Sequence, residues 1–176
     1  AGRKDLESRL KGVGQPMGYV NSLIDKLVHI IAEAKENAFE ASFCVGTAIC
    51  GAESGVGGNR RVRGGPHDPL VSVMAVKDRE DMIRGVFVNY SLHPTFIHEW
   101  STVCTADYPG YIRKQIEDLA PKAVFGFAQG ASGNQSSRYY RQGESYDEAE
   151  RVGRTIGKAA FSFLEKAHWK TELDMR

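Results

Sequence analysis

Ala123-Val124-Phe125-Gly126-Phe127-Ala128 is a short, wholly apolar run. That is the pattern of a strand buried on both faces, as found in sheets covered by helices. The flanks agree. Upstream, Tyr108 to Leu119 reads as a helix with Pro109 in its first turn, where proline is tolerated. Downstream, the run leads into the small-residue loop Gln129-Gly130-Ala131-Ser132-Gly133-Asn134-Gln135-Ser136-Ser137. Ser145 followed by Glu148 then forms a capping box that opens a helix over about 146–167. Further upstream, Pro69 to Val76 and Ile83 to Leu92 read as two strands joined by the charged turn Lys77-Asp78-Arg79-Glu80-Asp81, a hairpin. Phe43 to Ile49 is another strand. Val20, Leu23, Ile24, Leu27, Ile30, Ile31 and Ala34 recur at three and four residues, which predicts an amphipathic helix over about 18–37. The order of elements predicts an α/β fold, one mixed β-sheet flanked by helices, with residues 1–176 forming a single domain.

The composition is that of a globular chain: 176 residues, 41% hydrophobic and 26% charged. A net charge of +1 argues against nucleic acid held by bulk charge. No apolar stretch is long enough to span a bilayer, which predicts a soluble chain without a transmembrane segment. Residues 1–15 are charged and end in the breaker cluster Gly12-Val13-Gly14-Gln15-Pro16. No apolar region follows Ala1-Gly2-Arg3-Lys4-Asp5-Leu6, so the start does not read as a signal peptide. Cys44, Cys50 and Cys104 are odd in number and lack a C-x-x-C spacing; Cys44 and Cys50 read as buried free thiols on one strand face, which favours a reducing, cytoplasmic setting. Glycine is the unusual entry, 19 residues or about 11% against a usual share of about 7%. Many of these glycines sit in 51–65 and 126–133, loops in which backbone must turn tightly or approach something closely.

Three groups of residues carry candidate chemistry. His93 ends a hydrophobic strand beside Pro94, where a rigid element feeds a loop, and reads as a metal ligand or an acid–base residue. His98 follows at a spacing that fits neither one helix face nor one strand face, so the two do not form an H-x-x-x-H metal pair. His29 reads as a helix-face or core histidine and His168 as a solvated one. The loop Gly130 to Ser137 resembles a strand-to-loop turn that bears a nucleophile, although it is not G-x-S-x-G, and a plain surface turn has the same composition. Asn59, Arg60, Arg61 and Arg63 sit among glycines. They suit an anion clamp or the polarisation of a carbonyl, and equally a solvated loop.

In order along the chain, these pieces resemble the neutral/alkaline (non-lysosomal) ceramidases. The matching segments are Asn59-Arg60, Asn89-Tyr90-Ser91-Leu92-His93-Pro94-Thr95, Asp107-Tyr108-Pro109-Gly110-Tyr111, Phe125-Gly126-Phe127-Ala128-Gln129 and Gly133-Asn134-Gln135-Ser136-Ser137, within residues 18–165. The resemblance implies that His93 is a zinc ligand and that Arg60 stabilises the carbonyl oxygen of an amide. Ser136 takes the position of the family's catalytic serine, with Gly133 and Asn134 at substrate-binding positions beside it. The family's loop reads G-D-[VM]-S-P; here Asn134 replaces the aspartate and Ser137 the proline. The family's upstream His-Thr-His-Ser box and its downstream glutamate and tyrosine ligands have no counterpart in the chain. It is therefore expected to be a fragment of a larger catalytic domain, inactive and without tightly held zinc until joined by the missing parts. The implied activity is zinc-dependent hydrolysis of an amide bond in a small-molecule or lipid substrate. The alternatives are a non-catalytic α/β ligand-binding domain and a serine hydrolase that needs no metal.

Overall fold

A computed structural model describes residues 17–172; the breaker cluster ending at Pro16 and the charged start of the chain lie outside them. The chain divides into two compact units, one ending at Phe39 and one beginning at Glu40. In the first, helix α1 spans Met17–Glu36, close to the predicted range. None of its residues is buried, and Leu23, Leu27 and Ile31 of its apolar stripe are exposed.

In the second unit the strands are β1 (Ser42–Ile49), the two-residue β2 (Gly58–Asn59), β3 (Leu70–Lys77) and β4 (Ile83–Tyr90). Helix α2 (Tyr108–Leu119), β5 (Val124–Gln129), the two-residue β6 (Gln135–Ser136) and helix α3 (Tyr146–Leu164) follow. Four strands form one sheet in the order β1-β3-β4-β5. The first three are antiparallel and β5 runs parallel to β4, so the sheet is mixed and the fold is α/β. The parallel step is the one bridged by a helix, α2, as such a connection requires. β2 and β6 pair with each other in a separate antiparallel ribbon.

The alternation of the strands decides which face is covered. Cys44 of β1, Val71, Val73 and Ala75 of β3, and Val86, Val88 and Tyr90 of β4 point inward. They meet Tyr108, Ile112 and Ile116 of α2 and Val152, Ile156 and Ala160 of α3, all buried in one core. The opposite face carries Val45, Met74 and Phe87 in register across three strands, each exposed. Here the expectation for 123–128 needs correction: β5 is an edge strand, and its Val124 is 76% exposed. A wholly apolar hexapeptide does not distinguish a central strand from an edge one. Within this unit no element covers the outer face, so only its inner side chains, Phe125 and Phe127, pack against the core.

The helix ends follow the sequence closely. Ser145 accepts a hydrogen bond from Glu148 N, as a capping box requires, but the carboxylate of Glu148 is used elsewhere. It accepts from Gln142 N and takes two bonds from Arg151, whose Nη2 also donates to Gly55 O. α3 thereby anchors the glycine-rich loop that precedes β2. Burial alone would raise the Glu148 carboxyl, but the Arg151 and Gln142 bonds outweigh it and hold it below its ordinary value.

Candidate functional site

β4 ends at Tyr90, and the next residues form the loop that carries His93. Leu92 is fully buried and its carbonyl accepts a bond of 2.7 Å from the Tyr108 hydroxyl. Phe96, also fully buried, packs edge-on against the Tyr108 ring. Asp107, the residue before α2, binds the same loop. Its Oδ2 accepts from Phe96 N and Ile97 N, each at 2.9 Å, and its Oδ1 accepts from Tyr108 N at 2.7 Å. Asp107 adopts φ 54°, a conformation that costs a non-glycine residue free energy and here is held by these three bonds. The Asp107-Tyr108 pair thus fixes the segment from His93 to His98.

The other half of the site is the β2–β6 ribbon. Gly58 faces Ser136 and Asn59 faces Gln135, and Arg60 N donates to Asn134 O at 2.8 Å. A Cβ on Gly58 would stand 2.7 Å from the Tyr140 ring, so a larger residue here would have to push that ring aside. The Asn59 side chain accepts from Arg61 N and Val62 N and donates to Pro66 O, closing the arginine loop on itself. The buried Gln135 accepts from Asp68 N and donates to Ala131 O. The two glycine-rich segments of the sequence are therefore held against each other.

Arg60, His93 and Ser136, far apart in sequence, line one cavity of about 180 Å³ together with Thr95, His98, Arg138 and Arg141. Gly133 and Asn134 stand outside this lining, in the turn before β6, with Gly133 open to solvent. Larger hollows of about 590 Å³ beside Glu40 and about 530 Å³ beside Cys104 differ in being lined by carboxylates, Asp78 and Asp81 in the first and Asp107 and Glu117 in the second. Ser136 Oγ accepts from Arg138 N at 3.2 Å. His93 Nδ1 lies 3.4 Å from Ser132 Oγ, so its hydroxyl neighbour is Ser132 rather than Ser136. Arg141 Nη1 donates to Thr95 O and to His98 Nε2, each at 3.2 Å, and Nη2 to Glu144. An arginine only donates, so His98 Nε2 is the acceptor in this contact.

Sequence spacing missed His98, because helix and strand periods do not apply in a loop. It also missed Ser132, Arg138 and Arg141; two arginines three residues apart directly after the serine loop were the available signal. Ser137 is fully buried, and its hydroxyl has no hydrogen-bond partner among the described residues. His29 and His168 are exposed.

The donor set does not by itself fit a zinc centre. Catalytic zinc takes three protein ligands, and no group of three or more His, Cys, Asp or Glu side chains suited to a metal occurs among the described residues. His98 turns Nε2 to Arg141, and guanidiniums rather than carboxylates line the cavity. Among the described residues no helix is long and apolar enough to cross a membrane.

No protein-family model matches this chain, and no curated protein matches it. Solved structures do. A ceramidase complexed with C2 superposes on 83% of this chain with a TM-score of 0.68 at 20% sequence identity. The neutral ceramidase from Pseudomonas aeruginosa superposes on 83% with a TM-score of 0.67, also at 20% identity. The chain spans about a quarter of the length of these structures, 25% and 26% respectively. The fold of the chain is the fold those ceramidases adopt over that stretch.

Proposed function

We propose that the chain supplies part of the active site of a ceramidase-like hydrolase acting on an amide bond. The observation that carries this reading is the convergence of Arg60, His93 and Ser136 on one cavity within a ceramidase-like fold. Arg60, a permanent cation on a backbone fixed to Asn134, stabilises the negative charge that develops on the carbonyl oxygen. Ser136 Oγ already accepts a bond from Arg138 N and keeps its proton to donate, so it acts beside Arg60 as a second donor to that oxygen. His93 has Nδ1 turned towards Ser132, leaving Nε2 for the cavity. The zinc implied by the resemblance would have His93 as its ligand here, with the remaining donors from outside the described residues.

Amide hydrolysis by the natural full-length protein, measured with a panel of N-acyl substrates, tests this reading. Arg60→Ala is expected to lower kcat by about 100-fold or more, as loss of an oxyanion donor does. Ser136→Ala should lower it without abolishing it. Unchanged turnover in both variants, or no turnover of any amide, would favour the ligand-binding alternative. Activity that survives chelation but disappears with Ser136→Ala would instead assign a metal-independent serine hydrolase.

A further inference from the structure

The cavity holds more fixed positive charge than a single oxyanion needs. Arg60, Arg138 and Arg141 all line it, and no carboxylate does. Glu144 answers Arg141. The guanidiniums of Arg60 and Arg138 make no ion pair or hydrogen bond among the described residues. Both are nevertheless set in place through their backbones, Arg60 N on Asn134 O and Arg138 N on Ser136 Oγ. Arg61 and Arg63, exposed on the same loop as Arg60, add to the local field. Converging cations without counter-charges repel one another, and an arriving anion relieves that repulsion. Guanidinium forks match the oxygens of carboxylate and phosphate, and the Ser136 hydroxyl adds a neutral donor. A space of about 180 Å³ has room for a small charged headgroup.

We propose that this cavity binds a permanently anionic group, a carboxylate or a phosphate, and that the amide hydrolysed is therefore one carrying such a group close to the scissile bond. The first half stands on the cavity alone; the second rests on the hydrolase reading above.

Two measurements separate them. Calorimetric titration with inorganic phosphate and with acetate, urea serving as the uncharged control, is expected to show saturable anion binding that weakens with added salt. Arg138→Gln should weaken it by at least about tenfold, the loss expected for one charge-assisted bond, and Arg138→Lys should restore part of it. Arg60→Gln provides an independent variant, just past the other strand of the ribbon. Absence of saturable binding, or binding indifferent to both Gln variants, overturns the anion site whatever the amidase result. The second measurement compares kcat/KM for an N-acylglycine and an N-acyl-O-phosphoethanolamine with that for the uncharged N-acylethanolamine. A preference of about tenfold or more for one charged substrate, lost in Arg138→Gln, supports the proposal and shows whether the carboxylate or the phosphate is the natural group. Equal rates for all three overturn it. Anion binding without turnover of any amide sinks the hydrolase reading and leaves the anion site standing.

Discussion

Cys50 illustrates how a side chain is silenced by position. It is 1% exposed, and burial, with a small upward contribution from Glu53, pushes its thiol up to about 11 against a downward pull from the Ser54 hydrogen bond. Cys44 moves the same way for the same reason, whereas Cys104 is exposed. A thiol-alkylating reagent at pH 8 should therefore label one cysteine rapidly, Cys104, and the other two only on unfolding, as mass spectrometry of the folded and denatured protein will show. The linkage has a definite sign. Folded Cys50 holds its proton more tightly than unfolded Cys50, so its contribution is intact below the ordinary thiol value near 9 and is lost as pH rises towards 11. Burial raises the Tyr90 and Tyr108 phenols too and reinforces that loss. Urea midpoints taken between pH 8 and 11 should fall steadily; a flat profile would contradict it. The reading of Cys44 and Cys50 as buried thiols on one strand face is right for Cys44, which alternation places inward on β1; Cys50 is buried as well but lies just past the end of that strand.

At the level of elements, α2 and α3 approach each other closely because α3 presents glycine at the contact. A Cβ on Gly153 would stand 2.4 Å from the Tyr108 carbonyl oxygen and 2.5 Å from Tyr111 Cβ. Alanine is favoured over glycine in a helix by up to about 1 kcal/mol, but a backbone carbonyl cannot swing away as a side chain would. Overpacking of this kind costs about 1–3 kcal/mol, and the contact wins: Gly153→Ala should lower stability by about 1–2 kcal/mol, read from the urea midpoint. A stabilised variant would show that the helices part without cost. The elements with strong local signals were legible from the chain: α2 through Pro109, α3 through Ser145 and Glu148, and the β3–β4 hairpin through its charged turn. The exposed side of β5 was not, because all six residues are apolar and only a neighbouring layer distinguishes the sides. Nor was the ribbon, since strands of two residues have no period to read. Arg60, His93 and Ser136 could be picked out by residue type and family likeness, but their meeting, and the presence of Arg138, Arg141 and His98 beside them, depends on that ribbon and on the Asp107 clamp.

Across the whole second unit, order is unevenly supported. The four-stranded sheet has ladders of eight, six and six residue pairs and a covered inner face. The cavity depends on a ribbon of two residue pairs that joins segments near 59 and 135, aided by the Arg151 bond to Gly55 O. Closing so long a loop costs entropy that few contacts return, so the ribbon belongs to the portion of the molecule that opens first. Amide hydrogen exchange gives the measure: Arg60 N and Gln135 N should exchange well before Val73 N and Val88 N in the sheet centre. Equal protection would mean that ribbon and sheet open together. The consequence is one of sequence in time. The basic cavity should be the first part lost when the molecule is stressed, so ligand binding can vanish while the sheet, and any spectroscopic signal of folding, remains intact.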